Sequence, residues 1–171
     1  MKYFVLILLL MLAGCSAQPV YETVQDELVQ PVSAQPKQIH VDLAEEPVLP
    51  AMESDGGTLY LCGDYDVMIH TLPSGDLNRT VEQVSGFAPE DLTILHTASG
   101  ELERYEFVWT SAVDGGEQIG RATILDDGDY HYVLSATVGA ELIEEYQEIW
   151  NGIFESFTWS HIEPKILSRE I

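Results

Sequence analysis

The sequence predicts an α+β domain in which an antiparallel β-sheet of about six strands is covered by a short helix and a long C-terminal helix. Three observations support this prediction. A long amphipathic stretch fills residues 139–159, closely spaced β-prone segments separated by glycine turns precede it, and apolar side chains occupy both faces of those segments. A sheet that is apolar on both faces needs cover on both sides, and the two helices supply it.

The C-terminal helix is predicted from apolar residues that recur at three- and four-residue steps. They are Leu142, Ile143, Tyr146, Ile149, Trp150, Ile153, Phe154 and Phe157. Acidic residues crowd the first turns, where the helix dipole favours negative charge. A helix that carries a tryptophan and two phenylalanines must pack on a large apolar surface, and the preceding strands provide that surface.

The first part of the domain is predicted as a hairpin followed by a short helix. The two strands and the helix span residues 58–62, 66–72 and 77–85. Gly63 and Asp64 form a turn dipeptide between the strands. Asp76 or Ser74 can cap the helix, and Gly86 ends it.

Four further strand candidates follow and are predicted as an antiparallel meander. They span residues 92–98, 103–112, 117–125 and 130–138. The turns between them contain glycine, which supplies the positive φ that tight hairpins need. Tyr105, Phe107 and Trp109 share one face of their strand and are predicted as core, with a ligand groove as the alternative.

This order of elements resembles the PsbP/Mog-type fold. The residues that carry the resemblance are the ending Tyr146…Trp150-Asn151-Gly152-Ile153-Phe154-Glu155-Ser156-Phe157 and the preceding strand Tyr130-His131-Tyr132-Val133-Leu134-Ser135-Ala136-Thr137. The resemblance covers residues 58–159, and many small bacterial lipoproteins are similar to the same family. It implies a binding or assembly role rather than catalysis, and it brings no shared catalytic residues to this chain.

Length and charge narrow the function classes. The chain has 171 residues, which suits one domain with terminal extensions, and its formal net charge is −22. This charge argues against nucleic-acid binding and against electrostatic adhesion to an anionic membrane. No G-x-S-x-G, P-loop, dinucleotide-binding, H-E-x-x-H or C-x-x-C motif is present. The sequence therefore predicts no enzyme and no cofactor.

Residues 1–14 are predicted as a secretory signal, because Lys2 precedes an apolar run that is short for a membrane span. Leu12-Ala13-Gly14-Cys15 then resembles the lipobox of bacterial lipoproteins. The resemblance implies signal-peptidase recognition of Leu12, Ala13 and Gly14, and cleavage before Cys15. It also implies a diacylglyceryl group, with acyl chains such as palmitate, on the Cys15 sulfur. Two or three acyl chains give a stable membrane anchor. The alternative is an ordinary signal peptide with a chance cysteine.

The anchor implies that the protein is located on the extracytoplasmic face of the bacterial cell membrane. The outer membrane is the alternative if the host is Gram-negative. Residues 15–37 are predicted as a lipidated, flexible tether, with an alternative end near residue 57. Residues 38–43 alternate apolar and polar side chains and are a further strand candidate, whose membership of the main sheet is left open. The tail, residues 160–171, either packs back on the domain or stays loose.

Candidate ligand sites are few. Asp126, Asp127 and Asp129 surround a glycine and are weak candidates for a hard cation such as calcium. Their spacing is not that of an EF-hand, and an Asp-Gly hairpin tip explains them without a metal. Cys62 is predicted as a small buried hydrophobe, with an intermolecular disulfide as the alternative. The five histidines are dispersed singly and are predicted as structural or surface residues, although strand pairing could bring His70 near His131.

These observations lead to one functional hypothesis with two alternatives. The leading hypothesis is a lipid-anchored, extracytoplasmic, non-enzymatic domain that binds a protein or envelope partner. The first alternative is a receptor for a small molecule or cation, with a pocket between sheet and helix. The second is a hydrolase that acts on the envelope.

Overall fold

The structure of the chain, a computed structural model, describes residues 35–43, 50–54, 56–100 and 102–160. These residues belong to one compact unit. The predicted signal peptide, the lipobox with Cys15, most of the predicted tether and residues 161–171 of the tail lie outside the described ranges.

Nine strands and two α-helices are formed within the described ranges. The strands are β1 (Gln38–His40), β2 (Met52–Ser54), β3 (Gly57–Leu61), β4 (Tyr65–Pro73), β5 (Leu95–Ser99), β6 (Leu102–Val113), β7 (Gly116–Asp126), β8 (Tyr130–Gly139) and β9 (Thr158–Ser160). The helices are α1 (Leu77–Ser85) and α2 (Ile143–Ser156), with short 3-10 turns at Pro89–Asp91 and Ala140–Leu142. Neither helix has the length and apolar character needed to span a membrane.

Seven strands form one antiparallel sheet in the order β2-β3-β4-β8-β7-β6-β5. This confirms the predicted fold class. The strand beyond the predicted six is β2, which lies in a segment interpreted as loop from its prolines and glycines. All three of its residues are exposed, and it joins the sheet by pairing Met52 with Leu59. A strand of three exposed residues leaves no alternating pattern in the sequence.

The two helices cover opposite faces of the sheet, as predicted. Helix α2 buries Trp150, Ile153 and Phe154 against side chains of β4, β7 and β8. Helix α1 buries Val81 against a second cluster that contains Phe107 and Trp109 of β6, together with Ala122, Ile124 and Val133. The interpretation of these two aromatic residues as core is therefore confirmed, and Tyr105 packs at the edge of the same cluster.

Helix α1 has the predicted bounds because its two end signals are local. Asp76 is the N-cap, and its carboxylate accepts a hydrogen bond of 3.0 Å from the backbone N–H of Asn78. Ser74, the alternative cap, instead donates its backbone N–H to the Asp129 carbonyl at 2.8 Å. Gly86 ends the helix at a φ of 78°, which glycine adopts without strain.

The long C-terminal helix is shorter at both ends than its sequence predicts. It begins with a 3-10 turn, and the helix itself ends at Ser156. Thr158–Ser160 then form β9, which pairs with β1 so that Trp159 lies opposite Ile39. Trp159 also packs against Tyr132, with ring centroids 5.1 Å apart. Because of these contacts to distant parts of the chain, Trp159 lies in a strand, although the predicted helical stretch extends to it. The same contacts show that β1 joins β9 and not the main sheet.

Strand β5 begins at Leu95, three residues later than predicted, and ends at Ser99. Leu92 and Ile94 pack instead against the cluster beneath α1. As a result, β5 pairs with β6 only as far as Leu95 opposite Glu106. Residues 107–113 of β6 therefore pair with β7 on one side and with no described strand on the other.

Candidate functional site

The best candidate site is an open recess between helix α2 and the β6–β7 hairpin, with a volume of about 380 Å³. Its lining residues come from both elements: Val108, Ile119 and Arg121 from the strands, and Ile143, Gln147, Trp150 and Asn151 from the helix. The recess forms because α2 packs over β4, β7 and β8, which leaves Val108 of β6 exposed. The alternative hypothesis of a receptor for a small molecule or cation also predicts a pocket between the sheet and the helix.

Strand alternation explains why Val108 reaches the recess. Phe107 and Trp109 turn toward helix α1, so the residue between them turns to the α2 face. Because α2 does not extend over it, the Val108 side chain remains 59% exposed. Large exposed apolar side chains at the mouth of a concave surface are typical of places where another molecule binds.

Arg121 and Asn151 line the polar side of the recess, and Arg121 belongs to a charged cluster with Glu106 and Arg104. Arg121 Nη1 donates to Asn151 Oδ1 at 2.9 Å, and its Nη2 lies 3.6 Å from Glu106 Oε1. Arg104 Nη2 donates to the same Glu106 oxygen at 3.1 Å. Burial alone would raise the pKa of Glu106, but the hydrogen bond from Arg104 and the charges of both arginines outweigh it and lower that pKa. The carboxylate therefore stays ionised and holds both guanidinium groups in place.

The charge of this cluster differs from that of the whole protein. Two guanidinium groups and one carboxylate leave an excess of one positive charge, whereas the chain carries −22 and only seven Lys and Arg residues. The Arg121 guanidinium also lies 4.3 Å from the Phe154 ring centroid, in cation–π geometry. The recess thus combines apolar side chains with one guanidinium group, that of Arg121, which is held in place by its neighbours.

Trp150, one of the residues that line the recess, has an unsatisfied hydrogen-bond donor. Its side chain is 3% exposed, and its Nε1 atom has no hydrogen-bond partner among the described residues. Leaving a buried donor unpaired costs about 1–3 kcal/mol of folding free energy. Such groups are uncommon in folded proteins, and the unpaired Trp150 donor lowers the stability of the protein.

The three candidate aspartates serve the β7–β8 hairpin. Asp126 Oδ1 accepts from the backbone N–H of Gly128 at 2.8 Å, and Asp127 Oδ1 accepts from those of Asp129 and Tyr130 at 3.1 and 2.8 Å. No group of three or more His, Cys, Asp or Glu side chains that could hold a metal ion occurs in the described part of the chain. The carboxylates of Asp126 and Asp127 thus bind the turn, to which Asp129 contributes its backbone N–H.

His131 is buried, a position that its sequence pattern did not predict. Its Nδ1 shares a hydrogen bond of 2.9 Å with Thr80 Oγ1, and its Nε2 lies 3.5 Å from Asp126 Oδ2. Catalytic sites with a hydroxyl nucleophile have the same sequence of contacts, in which an aspartate orients a histidine and the histidine acts as base for the hydroxyl group. However, Thr80 is only 6% exposed beneath helix α1, so a substrate cannot reach its hydroxyl in this structure. The arrangement joins α1 to the sheet.

The other sequence candidates lie elsewhere. The register of β4 and β8 places His70 opposite Val133 and His131 opposite Leu72, so the two histidines are diagonal neighbours on one face of the sheet and not directly opposite each other. Burial lowers the pKa of His70, which keeps its ring neutral at neutral pH. Cys62 is buried in the core beneath α2, as predicted.

No family model matches the chain, and no curated protein matches it. Several solved structures are similar. PsbP of Synechocystis sp. PCC 6803 is 6% identical, with a TM-score of 0.47 over 67% of this chain and 80% of that chain. A Pseudomonas aeruginosa protein of unknown function, described as a putative regulator, is 14% identical, with a TM-score of 0.47 over 77% and 89%. LpqN, involved in cell envelope biogenesis of Mycobacterium tuberculosis, is 16% identical, with a TM-score of 0.42 over 75% and 88%. None of these likenesses transfers a function to this chain.

Proposed function

We propose that the chain is a non-catalytic binding protein, held on the extracytoplasmic face of a bacterial membrane by a diacylglyceryl group on Cys15. Its partner is a protein of the cell envelope, which it binds through the recess between α2 and the β6–β7 hairpin. The observation that carries the proposal is this recess, where the exposed Val108 side chain lies beside the fixed Arg121–Asn151 pair.

The openness of the recess favours a protein partner. Sites for small molecules usually bury most of the ligand surface in an enclosed cleft. Here the floor is apolar and the mouth is wide, which suits an apolar side chain inserted from another protein. Such an anchor residue, surrounded by a polar rim, is the usual energetic centre of a protein interface. Gln147 and Asn151 provide that rim on the helix side.

The membrane anchor is proposed from the sequence Leu12-Ala13-Gly14-Cys15. The absence of catalysis is proposed because the one catalytic-like connectivity noted in the described residues, Asp126–His131–Thr80, is buried. A reproducible turnover by the purified chain that a single substitution abolishes would overturn the non-catalytic assignment.

Affinity capture tests the proposal. The full-length tagged chain is used as bait on detergent-solubilised envelope, beside a Val108→Asp variant and a Leu95→Asp control. Val108 and Leu95 are both exposed strand residues, at 59% and 60%, but only Val108 lines the recess. We expect one stoichiometric protein partner that the Val108→Asp variant loses and the Leu95→Asp variant retains. Equal capture by all three chains would contradict the assignment of the recess.

A small-molecule receptor is the second candidate. The volume of about 380 Å³ lies within the range of ligand pockets, and Arg121 could pair with an anionic group. If the folded bait captures no protein, a thermal-shift screen with anionic amphiphiles decides for or against this candidate. A stability gain that the Val108→Asp variant lacks would support it.

A further inference from the structure

We propose that the outer edge of β6, over residues 107–113, accepts an extended segment of the partner as an added β-strand. The segment alternates apolar with small polar side chains and carries lysine or arginine at its ends. This inference rests on the proposed function, because it names how the partner of that function binds and what chemistry the partner presents.

The edge is open because β5 stops early. The pairing of β5 with β6 ends at Leu95 opposite Glu106, whereas β6 continues to Val113. Beyond Glu106, the described backbone hydrogen bonds of β6 run to β7 alone, from Phe107 opposite Ala122 to Val113 opposite Gly116. Half of the backbone groups over residues 107–113 therefore point away from the sheet, where a further strand can pair with them.

The composition of this edge is unusual for an unprotected strand. Residues 107–113 read Phe-Val-Trp-Thr-Ser-Ala-Val and contain no charge, proline or glycine, in a chain with 21% charged residues. Natural proteins commonly protect a sheet edge with charges, proline, bulges or very short strands. The other edges of this sheet follow this rule: β2 has three residues, and β5 has five, with a hydrogen bond between His96 and Glu103 beside it. The unprotected edge of β6 is thus suited to pairing with a further β-strand.

A groove of about 490 Å³ runs beside this edge and provides room for side chains. Phe87 and Leu92 line it from the segment that follows α1, while Trp109 and Thr110 line it from β6. Successive side chains of an added strand point to opposite faces of the sheet, so alternate residues would enter the groove. Main-chain hydrogen bonds combined with pockets for alternate side chains define recognition by strand addition.

Charge selects a basic partner and disfavours a second copy of this chain. Asp91 lines the groove, and Asp114 and Glu117 are exposed at the end of the β6–β7 hairpin. Two copies paired through this edge would bring together two chains that each carry a formal charge of −22, and their mutual repulsion opposes the pairing. Basic residues at the ends of a foreign segment instead complement Asp91, Asp114 and Glu117.

A synthetic peptide tests the mode of binding. The probe is a labelled peptide in which valine and threonine alternate between lysine-rich ends, titrated against the full-length chain in detergent. One matched probe carries N-methyl groups on alternate amides, and another has glutamate in place of lysine. We expect the first probe to bind at least about tenfold more tightly than either matched probe. Equal binding of the N-methylated probe would overturn strand addition, and equal binding of the glutamate probe would overturn the basic partner.

Hydrogen exchange and two lysine variants locate the binding edge. We expect the probe to slow amide exchange within residues 107–113 and to leave the β5 amides unchanged. Thr110→Lys should weaken probe binding at least about tenfold, whereas Ala98→Lys, an exposed substitution on β5, should not. Protection of β5 instead, or protection of residues 107–113 by self-association without the probe, would overturn the inference.

The same variants separate this inference from the proposed function. Envelope capture that is lost with Val108→Asp but unaffected by Thr110→Lys would leave the recess as the binding site and overturn strand addition. Envelope capture that is lost with both variants supports strand addition beside the recess.

Discussion

The ammonium group of Lys37 lies 2.8 Å from Asp127 Oδ2 and ties the start of the described chain to the β7–β8 hairpin. The backbone N–H of Lys37 also donates to the Tyr132 hydroxyl at 2.9 Å, and its Nζ lies 4.2 Å from the Trp159 ring centroid. Burial raises the pKa of Tyr132 to about 12, and the Asp127 carboxylate adds to the rise, so the hydroxyl keeps its proton and donates to Asp127. Lys37, the last residue of the predicted tether, is therefore fixed to the domain.

Removing either partner of this ion pair should have unequal effects. Asp127→Ala leaves two backbone N–H groups, the Tyr132 hydroxyl and Lys37 without their acceptor, and should lower the free energy of unfolding by about 2–3 kcal/mol. Lys37→Met removes one partly exposed cation and should cost about 1 kcal/mol. Urea denaturation measures both values. Equal losses would show that the turn hydrogen bonds of Asp127 contribute little.

Stability should fall in acid because of Asp127 and Glu106. Burial alone would raise the pKa of Asp127, but hydrogen bonds from Lys37 and from backbone amides outweigh it and lower that pKa, as the arginines do for Glu106. A depressed folded-state pKa stabilises the protein above the unfolded value, near 3.8 for Asp and 4.5 for Glu. This contribution is lost as the pH falls through the folded-state pKa.

Denaturation midpoints between about pH 6 and pH 3 measure this loss. The slope should be smaller in Lys37→Met, because the Asp127 pKa then lies closer to its unfolded value. Asp66 acts in the opposite direction, since burial raises its pKa and its protonation favours the folded state in acid. A slope that Lys37→Met leaves unchanged would contradict the role of the ion pair.

Two glycine substitutions should change stability in opposite directions. A Cβ atom at Gly120 would overlap the indole ring of Trp109, so Gly120→Ala should displace that ring and cost about 1–3 kcal/mol. A Cβ atom at Gly152, on the exposed side of α2, meets no atom, so Gly152→Ala should stabilise the protein by about 0.5–1 kcal/mol. Chemical denaturation followed by tryptophan fluorescence checks both. A neutral Gly120→Ala would mean that the indole ring repacks without strain.

Local signals in the sequence were enough for α1 and for the hairpin meander. Asp76 and Gly86 lie at the ends of their own helix, and glycine marks the turns between β6, β7 and β8. The end of α2 could not be predicted in this way, because the partner of Trp159 is Ile39, which lies 120 positions earlier (159 − 39). The predicted helical stretch therefore extended to Trp159, which lies in β9.

The existence of the recess could not be predicted from the sequence. Its existence depends on which strands α2 covers, and that depends on how the whole helix packs. The alternation of Val108 with Phe107 and Trp109 predicts an apolar residue on the second face, but not that the residue stays exposed. The burial of His131 could not be predicted from the sequence either, because it depends on the contact with Thr80 of helix α1.

The lipid anchor has its own test. Cys15→Ser removes the thiol that the diacylglyceryl group would modify, so the variant should move from the membrane fraction to the soluble extracytoplasmic fraction. Fractionation of cells that express each form measures the shift. A Cys62→Ser variant, whose thiol is buried in the core, should stay in the membrane fraction. Full membrane retention of the Cys15→Ser variant would contradict the anchor.

Photocrosslinking in living cells tests the central claim, that the recess is where an envelope protein binds. A photoreactive amino acid replaces either Gln147, which is exposed and lines the recess, or Arg79, which is exposed on α1. The account predicts one discrete crosslinked product from the Gln147 position and none from the Arg79 position. No product from Gln147, or the same products from both positions, would contradict it.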